Sequence, residues 1–192
     1  DKTCELIAEW KSKTNKLLPV SVNVSRKDIY KDDLPEILIN IITKHNLEPK
    51  NLHLEITETA YTEDSQQLID VVTKLKKLGF VIEMDDFGNG YSSLNMLSEL
   101  PIDILKLDMK FIQTNNKQNN TKNIMSFVIG LAQWMNLLVV AEGVETKEQV
   151  EALKKLNCNY VQGYYFARPM IAKKFTEMLL NSEITEMFNI GK

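Results

Sequence analysis

Cysteine and histidine are scarce in this sequence, with two residues of each among 192. The two cysteines, Cys4 and Cys158, lie far apart along the chain. Such sparse usage excludes the disulfide framework that holds small secreted domains together. It predicts reduced thiols and a cytoplasmic location.

Long hydrophobic runs are also lacking. No apolar run approaches the ~20 residues that a membrane-spanning helix needs, and the first residues, DKTCELIAEW, do not have the layout of a signal peptide. We therefore expect no membrane segment in this chain, although a longer parent protein could be anchored in a membrane elsewhere.

The chain has no excess of basic charge, since 23 Lys and Arg residues face 26 Asp and Glu residues for a net charge of -3. This balance excludes the general basic field of a non-specific nucleic-acid binder, so we expect no DNA partner. An anionic ligand would need a local device, such as a bound metal. The remaining composition, 44% hydrophobic and 26% charged, is that of a globular protein. It predicts one domain over residues 1–192.

Six short runs of apolar and β-branched residues predict strands. They cover residues 17–25, 52–58, 80–86, 104–108, 137–143 and 159–166. Stretches with helical spacing alternate with these runs, at residues 3–16, 34–45, 63–78, 119–135, 146–156 and 171–180. The Asn-rich segment 113–123 is typical of a loop. Alternation of strand and helix predicts parallel strands joined by crossovers.

A doubly wound open sheet and a (β/α)8 barrel both fit this order, and the polar residues inside the strands favour the barrel. Ser21 and Asn23 share one face of the first strand, as His53 and Glu55 do in the second. A barrel interior that opens into a polar mouth accepts such residues, whereas a sheet covered by helices on both faces favours continuous apolar strands. A complete barrel typically needs about 250 residues. We therefore predict a TIM-type α/β barrel that is N-terminally incomplete, with about six of its eight strands.

Nearly every predicted strand ends in a polar residue that faces inward. These residues are Asn23, Glu55, Asp85, Asp86, Lys106, Asp108, Glu142 and Gln162. Barrel active sites lie at the C-terminal ends of the strands, so the side chains should converge. Crowded carboxylates repel one another unless cations neutralise them. Oxygen donors without His or Cys favour Mg²⁺ or Mn²⁺ over zinc.

Each acidic residue alone could be a helix cap or part of a surface ion pair, and the two aspartates before FGNG could form a simple turn. Lys106 is harder to explain in this way, because an inward lysine needs an anionic neighbour or a depressed pKa. From these residues alone, an enolase-like lyase with Lys106 as the proton abstractor is a further interpretation.

Six blocks of sequence, in order, resemble the EAL phosphodiesterase domain. The blocks are VNVS, LEITE, DDFGNGYSSLNML, LPIDILKLD, AEGVET and QGYYFARP, and together they span nearly the whole chain. The resemblance implies a metal-dependent hydrolase that opens one phosphodiester bond of cyclic di-GMP to give linear pGpG, with two Mg²⁺ or Mn²⁺ ions at the scissile phosphate.

The resemblance also implies a role for each matching residue. Metal-binding positions fall on Asn23, Glu55, Asp85, Asp86 and Glu142. Lys106 matches the lysine that orients or deprotonates the attacking water, and Gln162 matches the glutamine near it. Glu58 matches a glutamate that holds the loop after the aspartates. Glu145, and Asp108 with it, would have substrate-binding or supporting roles.

The Glu-Ala-Leu motif that names the family, with a nearby substrate-binding arginine, belongs to an early strand that lies upstream of this sequence. We therefore expect one metal site to be incomplete and this chain alone to have little or no hydrolase activity. Unpaired barrel edges predict a homodimer or another pairing partner. The alternative function is a catalytically impaired module that binds cyclic di-GMP or a protein partner as a sensor or scaffold.

Several features differ from the family pattern or stand apart from it. Glu83 occupies a position where the family more often has a small apolar residue, and His53 faces the same way on the neighbouring strand, so we predict that the two pair below the metal layer. Asn89 replaces the usual threonine in the loop after the aspartates.

We expect Trp10, Trp134, Met135 and the aromatics of QGYYFARP to pack helices on the barrel, with Tyr164 and Phe166 the best candidates for base stacking. His45 should be a surface helix residue.

Overall fold

The computed structural model describes residues 1–15, 17–61, 64–87, 94–108 and 118–181, without the side chains of residue 94 and residues 118–123. Asn89 and its loop, and residues 113–117 of the Asn-rich segment, lie outside this part of the chain. Residues 118–123 of that segment are helical. The helix predicted from residue 119 is therefore right for the overlap of the two predictions, and the loop predicted to extend to residue 123 is wrong there.

Six parallel strands form one curved sheet in the order of the sequence. They are β1 (Val20–Asn23), β2 (Leu52–Thr57), β3 (Val81–Phe87), β4 (Ile104–Asp108), β5 (Leu138–Glu142) and β6 (Tyr160–Val161). Each strand pairs with its sequence neighbour, and all pairs are parallel. The predicted incomplete barrel with six strands is confirmed. Within the described residues, β1 and β6 each have one strand neighbour.

Helices alternate with these strands. They are α1 (Lys2–Thr14), α2 (Arg26–Ile29), α3 (Leu34–Lys44), α4 (Glu58–Tyr61), α5 (Ser65–Lys77), α6 (Leu94–Glu99), α7 (Gln118–Trp134), α8 (Lys147–Lys155) and α9 (Ala172–Leu180), with a short 3-10 helix at Pro49–Asn51. The six predicted helices are confirmed to within a few residues, whereas α2, α4, α6 and the 3-10 turn were not predicted. None of the described helices is long and apolar enough to cross a bilayer.

The core lies between the apolar face of the sheet and the helices that cover it. Leu54 and Ile82, on β2 and β3, are 0% exposed. Helix α5 turns Leu68, Val72 and Leu75 toward them, at the spacing of one helical face. Because neighbouring residues on a strand point to opposite faces, the packing of these apolar residues leaves the polar ones facing inward.

Helix α7 shows why one aromatic prediction was wrong. Its buried residues, Met125, Ile129 and Ala132, are spaced along one face. Trp134 is the last residue of the helix, lies off that face and is 82% exposed. It therefore does not pack on the sheet, whereas Met135 does.

Helices α1 and α9 pack together beside β1. The Trp10 indole N–H donates a hydrogen bond of 2.8 Å to Thr176, and its ring lies 5.0 Å from that of Phe175. Trp10 and Leu179 form a small buried cluster there. This contact joins the first and last described helices, and it confirms the packing role predicted for Trp10.

Strand β6 is shorter than predicted. The prediction extended to residue 166, but the strand ends at Val161 and is followed by a turn that includes Gly163. Backbone hydrogen bonds still hold the turn beside Val144, in the segment just after β5. The Val144 N–H donates to the Gln162 carbonyl, and the Tyr165 N–H donates to the Val144 carbonyl. Gln162 consequently lies just after the strand rather than within it.

We expect the inner strands to carry the stability of the fold. Ile82→Ala should lower the free energy of unfolding by about 2–5 kcal/mol, because it opens a cavity in a packed core. Ile37→Ala on α3 is the same chemical change at a side chain that is 42% exposed, and it should cost less than about 1 kcal/mol. Urea denaturation of both variants measures the difference. Equal losses would contradict this location of the core.

Candidate active site at the carboxyl ends of the strands

Three of the predicted site carboxylates meet at a fourth predicted residue, Lys106. Lys106 Nζ lies 2.7 Å from Glu55 Oε1, 3.0 Å from Asp85 Oδ1 and 3.0 Å from Glu142 Oε1. The four residues come from β2, β3, β4 and β5, which are neighbours in the sheet. We call Lys106 and these three carboxylates the Lys106 cluster.

The backbone explains the convergence. Parallel strands bring their carboxyl ends to one edge of the sheet, and residues on one face recur with a period of two. Thr57 is the strand partner of Asp85, and Asp108 is the strand partner of Glu142. The inward side chains of successive strands are therefore stacked closely enough for a long lysine side chain to reach three of them.

Burial makes the Lys106 cluster a strong electrostatic unit. Lys106 is 6% exposed and Glu55 is 9% exposed. Burial alone would lower the pKa of Lys106, but hydrogen bonds to Glu55, Asp85 and Glu142 outweigh it, and the pKa is raised above its ordinary value. The side chain is therefore an ammonium at neutral pH.

Glu142 experiences the opposite balance. Burial raises the pKa of its carboxyl group, and repulsion from Asp85 and Glu55 acts in the same direction, although the Lys106 ammonium opposes both. With all members ionised, three carboxylates and one ammonium leave an excess of two negative charges. The cluster is thus short of positive charge.

An irregularity in β3 places the two consecutive aspartates differently. The register with β4 shifts between Met84 and Phe87, and Asp86 has a positive φ of 56°. Such a bulge redirects side chains. Asp85 contacts Lys106, while Asp86 is exposed and its N–H donates to Asp85 Oδ1. Asn23 is also exposed, and its Cα is paired in register with that of Glu55.

A cavity of about 260 Å³ lies beside the cluster, at the ends of β4, β5 and β6. Its lining contains Asp108, Glu142, Glu145, Gln162 and Tyr164, together with Gly143 and Gly163. The cavity brings together the remaining predicted residues of these three strands, and Glu142 belongs both to it and to the Lys106 cluster. The guanidinium of Arg168 lies 5.0 Å above the Tyr164 ring.

A second polar cluster confirms the predicted pairing of His53 with Glu83. His53 Nδ1 lies 2.6 Å from Glu83 Oε1, and the Ser21 hydroxyl donates to the same oxygen at 2.9 Å. Glu83 is 4% exposed. The contribution of Ser21 was not foreseen. Its signal in the sequence was its place two residues before Asn23 on the inward face.

Glu58 is the predicted residue whose place is least explained by its contacts. It begins α4 directly after β2 and is 5% exposed, and neither carboxylate oxygen has a hydrogen-bond partner in the described part of the chain. The loop that it was predicted to hold lies outside the described residues, so this role stays a prediction.

The donor set of the Lys106 cluster fits a hard divalent cation in its chemistry. Carboxylate and amide oxygens are the ligands that Mg²⁺ and Mn²⁺ prefer, and the excess of negative charge calls for positive charge. Among the described residues, however, no three His, Cys, Asp or Glu side chains are already arranged to hold a metal. The three carboxylates point at Lys106 instead.

Comparison with known proteins gives a consistent family. The EAL domain model matches residues 1–169. The chain is 36% identical over 174 residues to the bifunctional diguanylate cyclase/cyclic di-GMP phosphodiesterase MucR of Pseudomonas aeruginosa. The matched region covers 91% of this chain and 25% of that protein. It is 34% identical over 169 residues to the cyclic di-GMP phosphodiesterase PdeR of Escherichia coli strain K12, covering 88% of this chain and 25% of the relative.

Solved structures agree with the sequence matches. A structure of the PaMucR phosphodiesterase in complex with c-di-GMP superposes with a TM-score of 0.83 at 35% identity, over 91% of this chain and 70% of that one. The chain spans about a quarter of the length of the two curated relatives.

The turn after β6 should depend on the absence of a side chain at Gly163. A Cβ atom there would overlap the backbone O and N of Val144, so Gly163→Ala should displace the wall of the cavity and lower the free energy of unfolding by about 1–3 kcal/mol. At Gly130 on α7 a Cβ atom would meet nothing within 4 Å. Gly130→Ala should therefore leave stability unchanged or raise it by up to about 1 kcal/mol. Thermal unfolding of the two variants tests this, and a neutral Gly163→Ala would contradict the close approach.

Proposed function

This chain belongs to the EAL domain family, and we propose that its protein is a phosphodiesterase that hydrolyses cyclic di-GMP to linear pGpG. The observation that carries the proposal is the Lys106 cluster, in which three carboxylates from neighbouring strands surround one buried ammonium. The family match and the named activities of MucR and PdeR indicate cyclic di-GMP as the substrate. One water is consumed: its oxygen bonds to phosphorus, the bond from phosphorus to one ribose oxygen breaks, and that oxygen leaves as a hydroxyl with a proton that derives from the water.

We propose further that the site works with Mg²⁺ or Mn²⁺. Asn23, Glu55, Asp85, Asp86 and Glu142 would hold the metal, since they offer oxygen donors on adjacent strand ends. Bound there, such ions lower the pKa of a water molecule and neutralise charge on phosphate oxygens. The two uncompensated negative charges of the Lys106 cluster support this assignment.

Lys106 would orient the attacking water rather than remove its proton. Its raised pKa keeps it an ammonium at neutral pH, and an ammonium has three N–H donors and no acceptor. Once carboxylates of the cluster turned to a bound metal, an N–H group of Lys106 would be released from them. It could then donate to a water or phosphate oxygen and stabilise negative charge that develops in the transition state. Deprotonation by Lys106, or its use as a proton abstractor in a lyase, would first require the loss of that proton.

The cavity beside the cluster would receive part of the nucleotide. Gln162, Asp108 and Glu145 offer hydrogen-bonding groups there, and Tyr164 offers an aromatic face. Tyr164 is 54% exposed, whereas Phe166 packs against the core. Of the two predicted stacking candidates, Tyr164 is therefore the better one. We propose a cytoplasmic location for this site, in agreement with the free thiols of Cys4 and Cys158.

Glu142→Gln separates the catalytic role of the site from its structural role. The carboxyl pKa of Glu142 is raised, so its ionised form is less favourable in the folded protein than in the unfolded chain. The stability that this shift contributes is present below the ordinary pKa and is lost as pH rises through the folded pKa. At pH 7 the amide should therefore leave the melting temperature unchanged or raise it.

The same variant should lose turnover of cyclic di-GMP by on the order of 100-fold or more, as expected when a group that acts in the transition state is removed. Turnover is measured in the full-length protein with Mn²⁺ or Mg²⁺. Glu151→Gln, which removes an exposed carboxylate on α8, is the matched control and should keep full activity. A Glu142→Gln protein that is folded and as active as the wild type would refute the proposed site. A wild type that binds cyclic di-GMP without turnover would favour the sensor or scaffold function.

We also propose that the outer edges of β1 and β6, which have no strand neighbour in the described part of the chain, are paired in the working molecule. Further strands of the same protein or a second copy in a homodimer would pair with them. Unpaired edges of a parallel sheet expose backbone N–H and C=O groups that proteins usually cover. Sedimentation of this chain should show a dimer. The Val24 N–H donates to the Glu55 carbonyl on β2, so the alternating N–H groups of Ser21 and Asn23 face the outer edge of β1. These two amides should be protected from hydrogen exchange. A monomer with fast exchange at β1 would exclude self-pairing and leave pairing with further strands. A monomer with protected β1 amides would overturn the proposal.

A further inference from the structure

Glu55 and Glu83 are neighbouring inward carboxylates that have different partners. Their Cα atoms are paired in the register of β2 and β3, and adjacent strands lie only about 4.8 Å apart. Glu55 contacts Lys106 at 2.7 Å, whereas Glu83 contacts His53 at 2.6 Å and Ser21 at 2.9 Å. Two buried acids at the same level of the sheet are thus held apart by two sets of donors.

A count of donors shows why this separation matters. The lysine ammonium has three N–H groups, and Glu55, Asp85 and Glu142 already surround it at hydrogen-bonding distance. No N–H group of Lys106 remains for a fourth carboxylate. Glu83 is 4% exposed, and a buried carboxylate without donors is strongly unfavourable. It therefore needs partners of its own.

We propose that His53 is a positioning residue for the active site, because its hydrogen bond keeps Glu83 from competing for Lys106. Ser21 assists with a second hydrogen bond to the same oxygen. Without His53, Glu83 loses its 2.6 Å contact. The Lys106 ammonium lies on the next strand and contacts Glu55, the register partner of Glu83, so Glu83 would compete with Glu55 for that ammonium. The inference about geometry stands on these contacts, and its consequence for catalysis rests on the proposed function.

His53→Leu tests the proposal, because leucine has a similar size and no N–H donor. In the full-length protein, turnover of cyclic di-GMP should fall roughly 10- to 100-fold, the range for residues that orient the directly acting side chains through hydrogen bonds. The double variant His53→Leu/Glu83→Ala lacks the competing carboxylate and should recover most of the lost turnover. His45→Leu removes the other histidine, which pairs with Asp1 on the surface, and should have no effect.

The ammonium of Lys106 gives a readout that does not require activity. In protein labelled with ¹⁵N at lysine Nζ, the signal that disappears in Lys106→Arg belongs to this residue. We expect that signal to shift in His53→Leu and to return toward its wild-type position in the double variant. If His53→Leu does not fold, Ser21→Ala with and without Glu83→Ala provides the same comparison, with a smaller shift.

The two proposals fail in different ways. If the wild type does not hydrolyse cyclic di-GMP, the proposed function is wrong, but the NMR comparison still tests the positioning of Glu83. If His53→Leu leaves the Lys106 signal unchanged, or if the double variant is as perturbed as the single one, His53 does not act through Glu83 and the inference is overturned. A general packing role for His53 would produce that second result, since removing Glu83 cannot restore lost packing.

Discussion

The burial of one ammonium among three carboxylates is the interaction on which this site depends. Lys106 would be costly inside the sheet by itself, and so would each of Glu55, Asp85 and Glu142. Together they satisfy one another, but only while four neighbouring strands keep their register. The stability of the cluster therefore depends on the order and register of these strands. A shift of a single residue would turn an inward side chain toward the apolar helices.

The parallel sheet supplies the register that the cluster needs. Apolar residues such as Leu54 and Ile82 pack against the helices, and their alternation fixes which face each intervening polar residue takes. Packing of the apolar side chains on the outer face thus determines the direction of the polar side chains on the inner face. Gly163 adds a local constraint, since its close approach to Val144 brings the turn after β6 to the edge of the cavity.

The convergence of polar residues could be predicted from the sequence because it follows from periodicity and from parallel strands. Glu55, Asp85, Lys106 and Glu142 were each recognisable as the last inward residue of a strand, and the pairing of His53 with Glu83 followed from the cost of leaving either alone. The inward place of Ser21 was visible in the sequence, but its hydrogen bond to Glu83 was not, because a serine can be satisfied by water or backbone as easily as by Glu83. The exposure of Trp134 and the early end of β6 depend on helix phase and backbone approach, which composition and hydrophobic pattern do not determine.

Charge balance connects the structure of this site with its proposed chemistry. The Lys106 cluster has more negative than positive charge. Burial, together with repulsion from Asp85 and Glu55, raises the pKa of Glu142, so its ionised form is less favourable in the folded protein. A site selected for stability alone would lose a carboxylate or gain a cation from the protein. The presence of three carboxylates around one ammonium agrees with the proposed divalent metal, which would supply the missing positive charge. The proposed role of His53 and Ser21 agrees with this balance, because their contacts with Glu83 would keep a fourth carboxylate away from Lys106.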